Sequence, residues 1–303
     1  MNDQLSLPHF DAMGACALHH LGVLQASGPD AASFLHNQLT QDFLLLQPQH
    51  ARWAAFCNAK GRMQASMVGL KTGPQDLLLV MRQDLLAQTL KRLSMFVLRA
   101  KVKLSDASSE WGVWGVFDSA QDPPWTCRPA SSGWSVSLYP AAGVSRALQL
   151  WPAGQTPALP TLPLEDWLLG DVLSGVADVQ AATFEAFVPQ MLNYESVDGV
   201  NFKKGCYPGQ EVVARSQFRG TLKRRTFLVH ASSPLQAGQD IFSPSDDTQP
   251  AGMVAQAAQH SRFGDWALAC LQTQAIEGAL YVQGHDKTPL QLLPLPYPLR
   301  EDL

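Results

Sequence analysis

Residues 203–225 hold the densest set of chemically able side chains. Seven of the 22 lysines and arginines fall there: Lys203, Lys204, Arg215, Arg219, Lys223, Arg224 and Arg225. Glu211 is the sole acid, so the segment carries +6 in a chain of net charge −4. Inside it runs Lys204-Gly205-Cys206-Tyr207-Pro208-Gly209-Gln210-Glu211. Proline suits the first turn of a helix, so a helix is expected from Pro208 to about Phe218. Gly205 and Gly209 allow a tight bend before it. Cys206 then follows two lysines and precedes a helix N-terminus, and both favour thiolate over thiol. The same free N–H groups suit a carboxylate or phosphate. Glu211 and Arg215 stand four apart, the spacing of a helical ion pair. Cys16, Cys57, Cys127 and Cys270 have no such setting and read as buried filler. A basic run is also what a solvated junction between domains looks like.

Other elements must hold this segment in place. A strand is expected from His20 to Ser27. Gly28-Pro29-Asp30 then opens a helix bearing Ala32, Leu35 and Leu39. Strands follow at 51–59, 62–70 and 76–81, separated by glycine-containing turns. Leu85, Leu86, Leu90 and Leu93 mark an amphipathic helix over 84–96. Further strands are expected near Val102, at 113–117 and at 148–151. The proline-rich stretches 122–133 and 152–163 read as loops, and 164–173 as a helix. Beyond residue 221 the pattern changes to short strands alone, at 227–229, 252–258, 266–271 and 280–282. That spacing predicts a small all-β barrel or sandwich, with a boundary near 221.

Composition removes several classes. At 303 residues, two domains are the prior. Hydrophobic residues make up 46% and charged residues only 16%, which argues against disorder. No apolar run reaches the length of a membrane span, and Met1-Asn2-Asp3-Gln4 does not open a secretory signal. Five scattered cysteines without a CxxC pair argue against a disulfide scaffold or a closed zinc site, so a reducing cytoplasm is expected. The sequence has no GxGxxG, Walker A, HExxH or GxSxG pattern.

Lys204 to Glu211 resembles, without a gap, the K-G-C-[FY]-x-G-Q-E pattern of the YgfZ family. Gly28-Pro29-Asp30 with Phe34, Leu35, Gln38, Thr40 and Asp42 resembles the family's N-terminal helix motif, and Lys60-Gly61-Arg62 its KGR turn. Phe187-Val188-Pro189-Gln190 with Asn193, and Pro294 to Tyr297, are similar to two further family segments. The resemblance spans nearly the whole chain. It implies the fold of the glycine cleavage T-protein, a tetrahydrofolate-dependent aminomethyltransferase. That fold is α+β, with two intertwined folate-binding lobes over 1–220 and a C-terminal β-barrel over 221–303. It implies a factor for assembly or repair of iron–sulphur enzymes, tRNA-modifying radical enzymes among them. Cys206 would be its reactive thiol, with Lys204 and Glu211 beside it. Tetrahydrofolate or another folate would be held by Trp167, Gln190, Asn193, Tyr207, Gln210 and Arg215.

Two positions depart from the family. Leu21 stands where a second folate-binding tryptophan is expected, and Leu173 where an acid before a small residue and glycine is expected. Asp171 and Asp178 are the nearest substitutes. These departures favour an accessory factor over the alternative, a true aminomethyltransferase. The third alternative, an RNA-binding module, needs more aromatic platforms than Tyr207 and Phe218. The expected protein is a cytoplasmic monomer that binds folate and iron–sulphur clients, with no metal of its own, no membrane and no direct nucleic acid.

Overall fold

The computed structural model describes residues 6–9, 13–118, 120–218, 222–282 and 289–300. The chain starts with β1 (Gly14–Ala17) and then leaves that sheet to build another. β2 (Leu21–Ser27), α1 (Ala31–Gln38), β3 (Ala51–Cys57), β4 (Met63–Lys71), β5 (Asp76–Arg82), α2 (Gln83–Ser94) and β6 (Lys103–Asp106) follow. Their strands form a five-stranded sheet in the order β3-β4-β5-β2-β6. The chain then returns to β1 with β7 (Trp111–Asp118), β8 (Cys127–Ala130), β9 (Gly133–Ser137) and β10 (Ser145–Pro152), in the order β1-β7-β10-β9-β8. One sheet is thus interrupted in sequence by the other, which is the intertwining the resemblance implies. All these pairs are antiparallel.

α3 (Leu164–Leu173) matches its expected ends. Two short 3-10 turns follow, Ala181–Thr183 and Pro189–Leu192, and then α4 (Gln210–Phe218). β11 (Arg224–Ala231), β12 (Asp240–Phe242), β13 (Gly252–His260), β14 (Gly264–Gln272), β15 (Tyr281–Val282) and β16 (Gln291–Leu293) form a third sheet, ordered β15-β12-β13-β14-β11-β16. A register shift between Val254 and Gln256 bends β13, as a bulge does, and the sheet curls. The expected boundary at 221 and Arg219 lie outside the described residues. So do Met1 to Gln4 at the N-terminus.

Periodicity explains the elements that match. In α2, Leu85, Leu86 and Leu93 are buried and Leu90 half-buried, one stripe of an amphipathic helix. β4 is buried from Met63 to Leu70 on both faces, so it reads as a continuous apolar run. The stretch 122–133, expected as loop, instead contains β8. Pro129 is tolerated there because β8 is an edge strand that pairs with β9 alone.

Two glycines set the positions of functional side chains. A Cβ on Gly115 in β7 would stand 2.4 Å from the Trp167 ring, so the bare backbone gives the indole its place. Gly209 has φ of +80°, and its Cβ would meet Asn58 O at 2.4 Å and Gly61 Cα at 2.7 Å. The Lys60-Gly61-Arg62 turn and the segment opening α4, two separate marks in the sequence, therefore pack backbone to backbone.

Candidate functional site

The first site is a cavity between the first two sheets, closed by α3 and the chain after it. Its cavity volume is about 60 Å³, and the space reaches about 570 Å³ when the gaps between wall atoms and the solvent at its mouth are included. Trp53, Trp125, Tyr139 and Trp167 supply aromatic wall, and Asp171, Asp178 and Arg146 supply charge. Trp53 and Trp125 stack in parallel with ring centroids 5.8 Å apart. Trp125 holds φ of 67°, a left-handed conformation rare for so bulky a residue, and its Nε1 donates to Val197 O at 3.0 Å. Trp167 is buried under Arg146, whose guanidinium carbon lies 4.3 Å from the ring centre. Arg146 in turn donates to Gly170 O at 3.0 Å and pairs with Asp171.

Asp178 is the anomaly of this cavity. Burial pushes its carboxyl up to about 7, and the Asp171 charge adds to the rise. Arg82 and Arg146 oppose it without cancelling it. Its side chain is half-buried because it faces the cavity rather than bulk solvent. Three nitrogens of residues that line the cavity, Trp53 Nε1, Trp167 Nε1 and Arg146 Nε, are buried and have no hydrogen-bond partner among the described residues. Unsatisfied polar groups beside a raised carboxyl make this cavity a candidate ligand site.

Of the expected folate contacts, only Trp167 stands on this wall. Leu21 lines it too, whereas Leu173 is buried in the core and does not. Gln190 is fully buried, and its Nε2 donates to Val213 O at 2.7 Å and to Gln217 Oε1 at 3.3 Å. It therefore ties the second 3-10 turn to α4. Asn193, with φ of 58°, donates to Thr226 O at 2.9 Å and anchors β11. Tyr207, Gln210 and Arg215 belong to the basic segment, apart from the cavity. Sequence reasoning missed Trp53, Trp125, Tyr139 and Arg146, which lie on separate strands and loops with no local pattern to join them.

The second site is the basic segment. Cys206 is exposed, and the other four cysteines are buried. Burial pushes Cys16, Cys57 and Cys270 up to about 12 and Cys127 to about 11, so these thiols stay protonated. Lys204 is buried. Its Nζ donates to His36 O and, at 2.8 Å, to Leu39 O, the free carbonyls at the end of α1. The same ammonium lies 4.7 Å from the Tyr207 ring centre, and burial brings Lys204 down to about 8. Lys204 thus clamps the cysteine turn onto α1. Glu211 and Arg215 pair at 3.5 Å on the exposed face of α4.

This architecture, two interleaved antiparallel sheets and a curled third, is that of the glycine cleavage aminomethyltransferases. The T-protein structure from Bartonella henselae superposes with a TM-score of 0.65, covering 93% of this chain and 84% of that one at 13% identity. That likeness concerns the fold. Among curated proteins, the chain is similar to the tRNA-modifying protein YgfZ of Sodalis glossinidius, 27% identical over 312 residues. It is 28% identical over 307 residues to that of Yersinia pseudotuberculosis. Each match covers 94% of this chain and 93% of the relative. No protein-family model matches the chain. The resemblance to YgfZ thus runs from end to end, on the T-protein fold. Among the described residues, no helix is long and apolar enough to cross a membrane.

Proposed function

We propose that this protein is a folate-binding accessory factor for assembly or repair of iron–sulphur enzymes, acting in the cytoplasm. Its clients include radical enzymes that modify tRNA, and it works through the thiol of Cys206. The observation that carries this reading is the exposure of Cys206 alone among five cysteines, inside the segment that resembles the YgfZ pattern. Similarity to proteins named tRNA-modifying YgfZ over nearly the whole chain supports the client class. The division of labour is a two-lobed ligand region to residue 220 and a C-terminal β-domain from 221.

The cavity residues fit a folate. A pterin ring is flat and presents adjacent N–H donors and acceptors. The aromatic wall suits its faces, and Asp178 suits the donors. A reduced folate, when bound, supplies one-carbon chemistry. Asp178 orients it, Trp167 and Trp125 exclude water, and Arg146 fixes Asp171 and Trp167.

The test is complementation of bacterial cells lacking their own YgfZ. Wild-type chain should restore the modified nucleosides made by iron–sulphur tRNA enzymes, read by mass spectrometry of total tRNA. Cys206→Ser should not. Full restoration by Cys206→Ser, or none by wild type, would overturn the proposal.

A further inference from the structure

A second pair of side chains stands against the cysteine turn. His36 lies in the last turn of α1 and is 6% exposed. Its Nδ1 is 3.1 Å from Asp42 Oδ1, which also accepts from Leu45 N at 3.0 Å. Burial would raise the Asp42 carboxyl, but the hydrogen bonds from Leu45 and His36 outweigh it and hold the group below its usual range. Asp42 is therefore an ionised acceptor, and in a neutral imidazole it fixes the hydrogen on Nδ1. The lone pair is left on Nε2, which makes no hydrogen bond among the described residues. A Cβ built on Gly205 would stand 3.4 Å from Nε2, so this free nitrogen lies against the backbone one residue before Cys206. Lys204 holds the two parts together, because its ammonium bonds the carbonyl of His36 itself.

Resting on the reading of Cys206 as a working thiol, we propose that His36, oriented by Asp42, accepts the Cys206 proton in thiol–disulfide exchange. The transfer requires Sγ to swing towards Nε2, and an exposed thiol changes its χ1 rotamer within nanoseconds. The Sγ–H proton passes to Nε2 as the sulphur attacks one sulphur of a disulfide. A new S–S bond forms and the old one breaks. An alkyl leaving thiolate takes the proton back from Nε2, giving a mixed disulfide and one thiol, whereas an aryl leaving thiolate stays ionised and Nε2 passes the proton to water; neither case needs a further oxidant or reductant. The charges around the turn are Asp42, engaged with His36 and Leu45, the buried ammonium of Lys204, and the exposed Lys203. Two cations beside the thiol favour a disulfide that carries carboxylates.

The experiment uses the full chain and 5,5′-dithiobis(2-nitrobenzoate), a dianionic disulfide whose released thiolate is coloured. Cys206→Ser identifies the phase that belongs to Cys206. His36→Gln should slow that phase about 10²-fold, the lower end of what a positioned base contributes. The wild-type rate should be slower in D2O than in water by more than the ionisation of a free thiol accounts for, and His36→Gln should remove that excess, which a merely structural role would not do. Asp42→Asn should slow the same phase, and far-ultraviolet circular dichroism checks that each variant is folded. A His36→Gln rate equal to wild type, or an isotope effect in it as large as that of wild type, would overturn the proposal. Restoration of tRNA modification by Cys206→Ser would instead overturn the functional reading and leave the proton transfer standing on these rates.

Discussion

Asp178→Asn should make the protein more stable, by an amount that depends on pH. The wild-type carboxyl rises from 3.8 to about 7 on folding, chiefly through burial and then through Asp171. Below about pH 4 both folded and unfolded chains hold the proton, and folding loses nothing. Between about 4 and 7 the unfolded chain releases it and the folded chain keeps it, so stability falls as pH rises. Above 7 the loss is complete. Three units at about 1.4 kcal/mol each set a ceiling of about 4 kcal/mol. Solvent in the cavity mouth screens the charge, so about 2 kcal/mol is expected between pH 5 and pH 8. Asparagine fills nearly the same space and does not ionise. The assay is urea unfolding of both proteins at pH 5 and pH 8, followed by tryptophan fluorescence. The variant should gain on wild type at pH 8 relative to pH 5. Equal pH dependence in the two proteins would refute the account of Asp178 as a strained, ligand-directed acid. A buried carboxyl that costs stability in this way is a candidate for a functional role.

Three further outcomes are expected. Iodoacetamide on the native protein should give one adduct, at Cys206, by peptide mass spectrometry; labelling of a second cysteine at a similar rate would contradict the burial of the other four. Gly209→Ala should lower stability by roughly 1–3 kcal/mol in urea unfolding, because its Cβ enters the Asn58–Gly61 turn at a left-handed φ. Arg225→Met should cost about 3–5 kcal/mol, since it leaves buried Glu195 without its cation. Adding Glu195→Gln should recover most of that loss, and failure to recover would place the cost elsewhere.

What was legible in the sequence follows from how local each signal is. β3 to β5 are apolar runs and α2 is an amphipathic helix, set off with α3 by glycine and proline punctuation, and they lie close to where the pattern put them. β1 has four residues and depends on β7, some hundred residues away, so nothing local marks it. β8 hides behind prolines, and β12 and β16 are three residues each. The same rule separates the two sites. The cysteine segment is contiguous and therefore visible. The cavity draws Trp53 from β3, Trp125 from a loop, Arg146 from β10, and Trp167 and Asp178 from α3 and beyond. Only folding joins them. Leu173 shows the converse: it occupies the expected place in the sequence, but its side chain points into the core.

Titration calorimetry with tetrahydrofolate tests the central claim most directly. Wild type should bind one equivalent, and Asp178→Asn should bind about 10- to 150-fold more weakly, the loss of one hydrogen bond to a charged group at roughly 1.5–3 kcal/mol. Absence of binding to wild type, or equal affinity in the variant, would contradict the assignment of this cavity as a folate site read by Asp178.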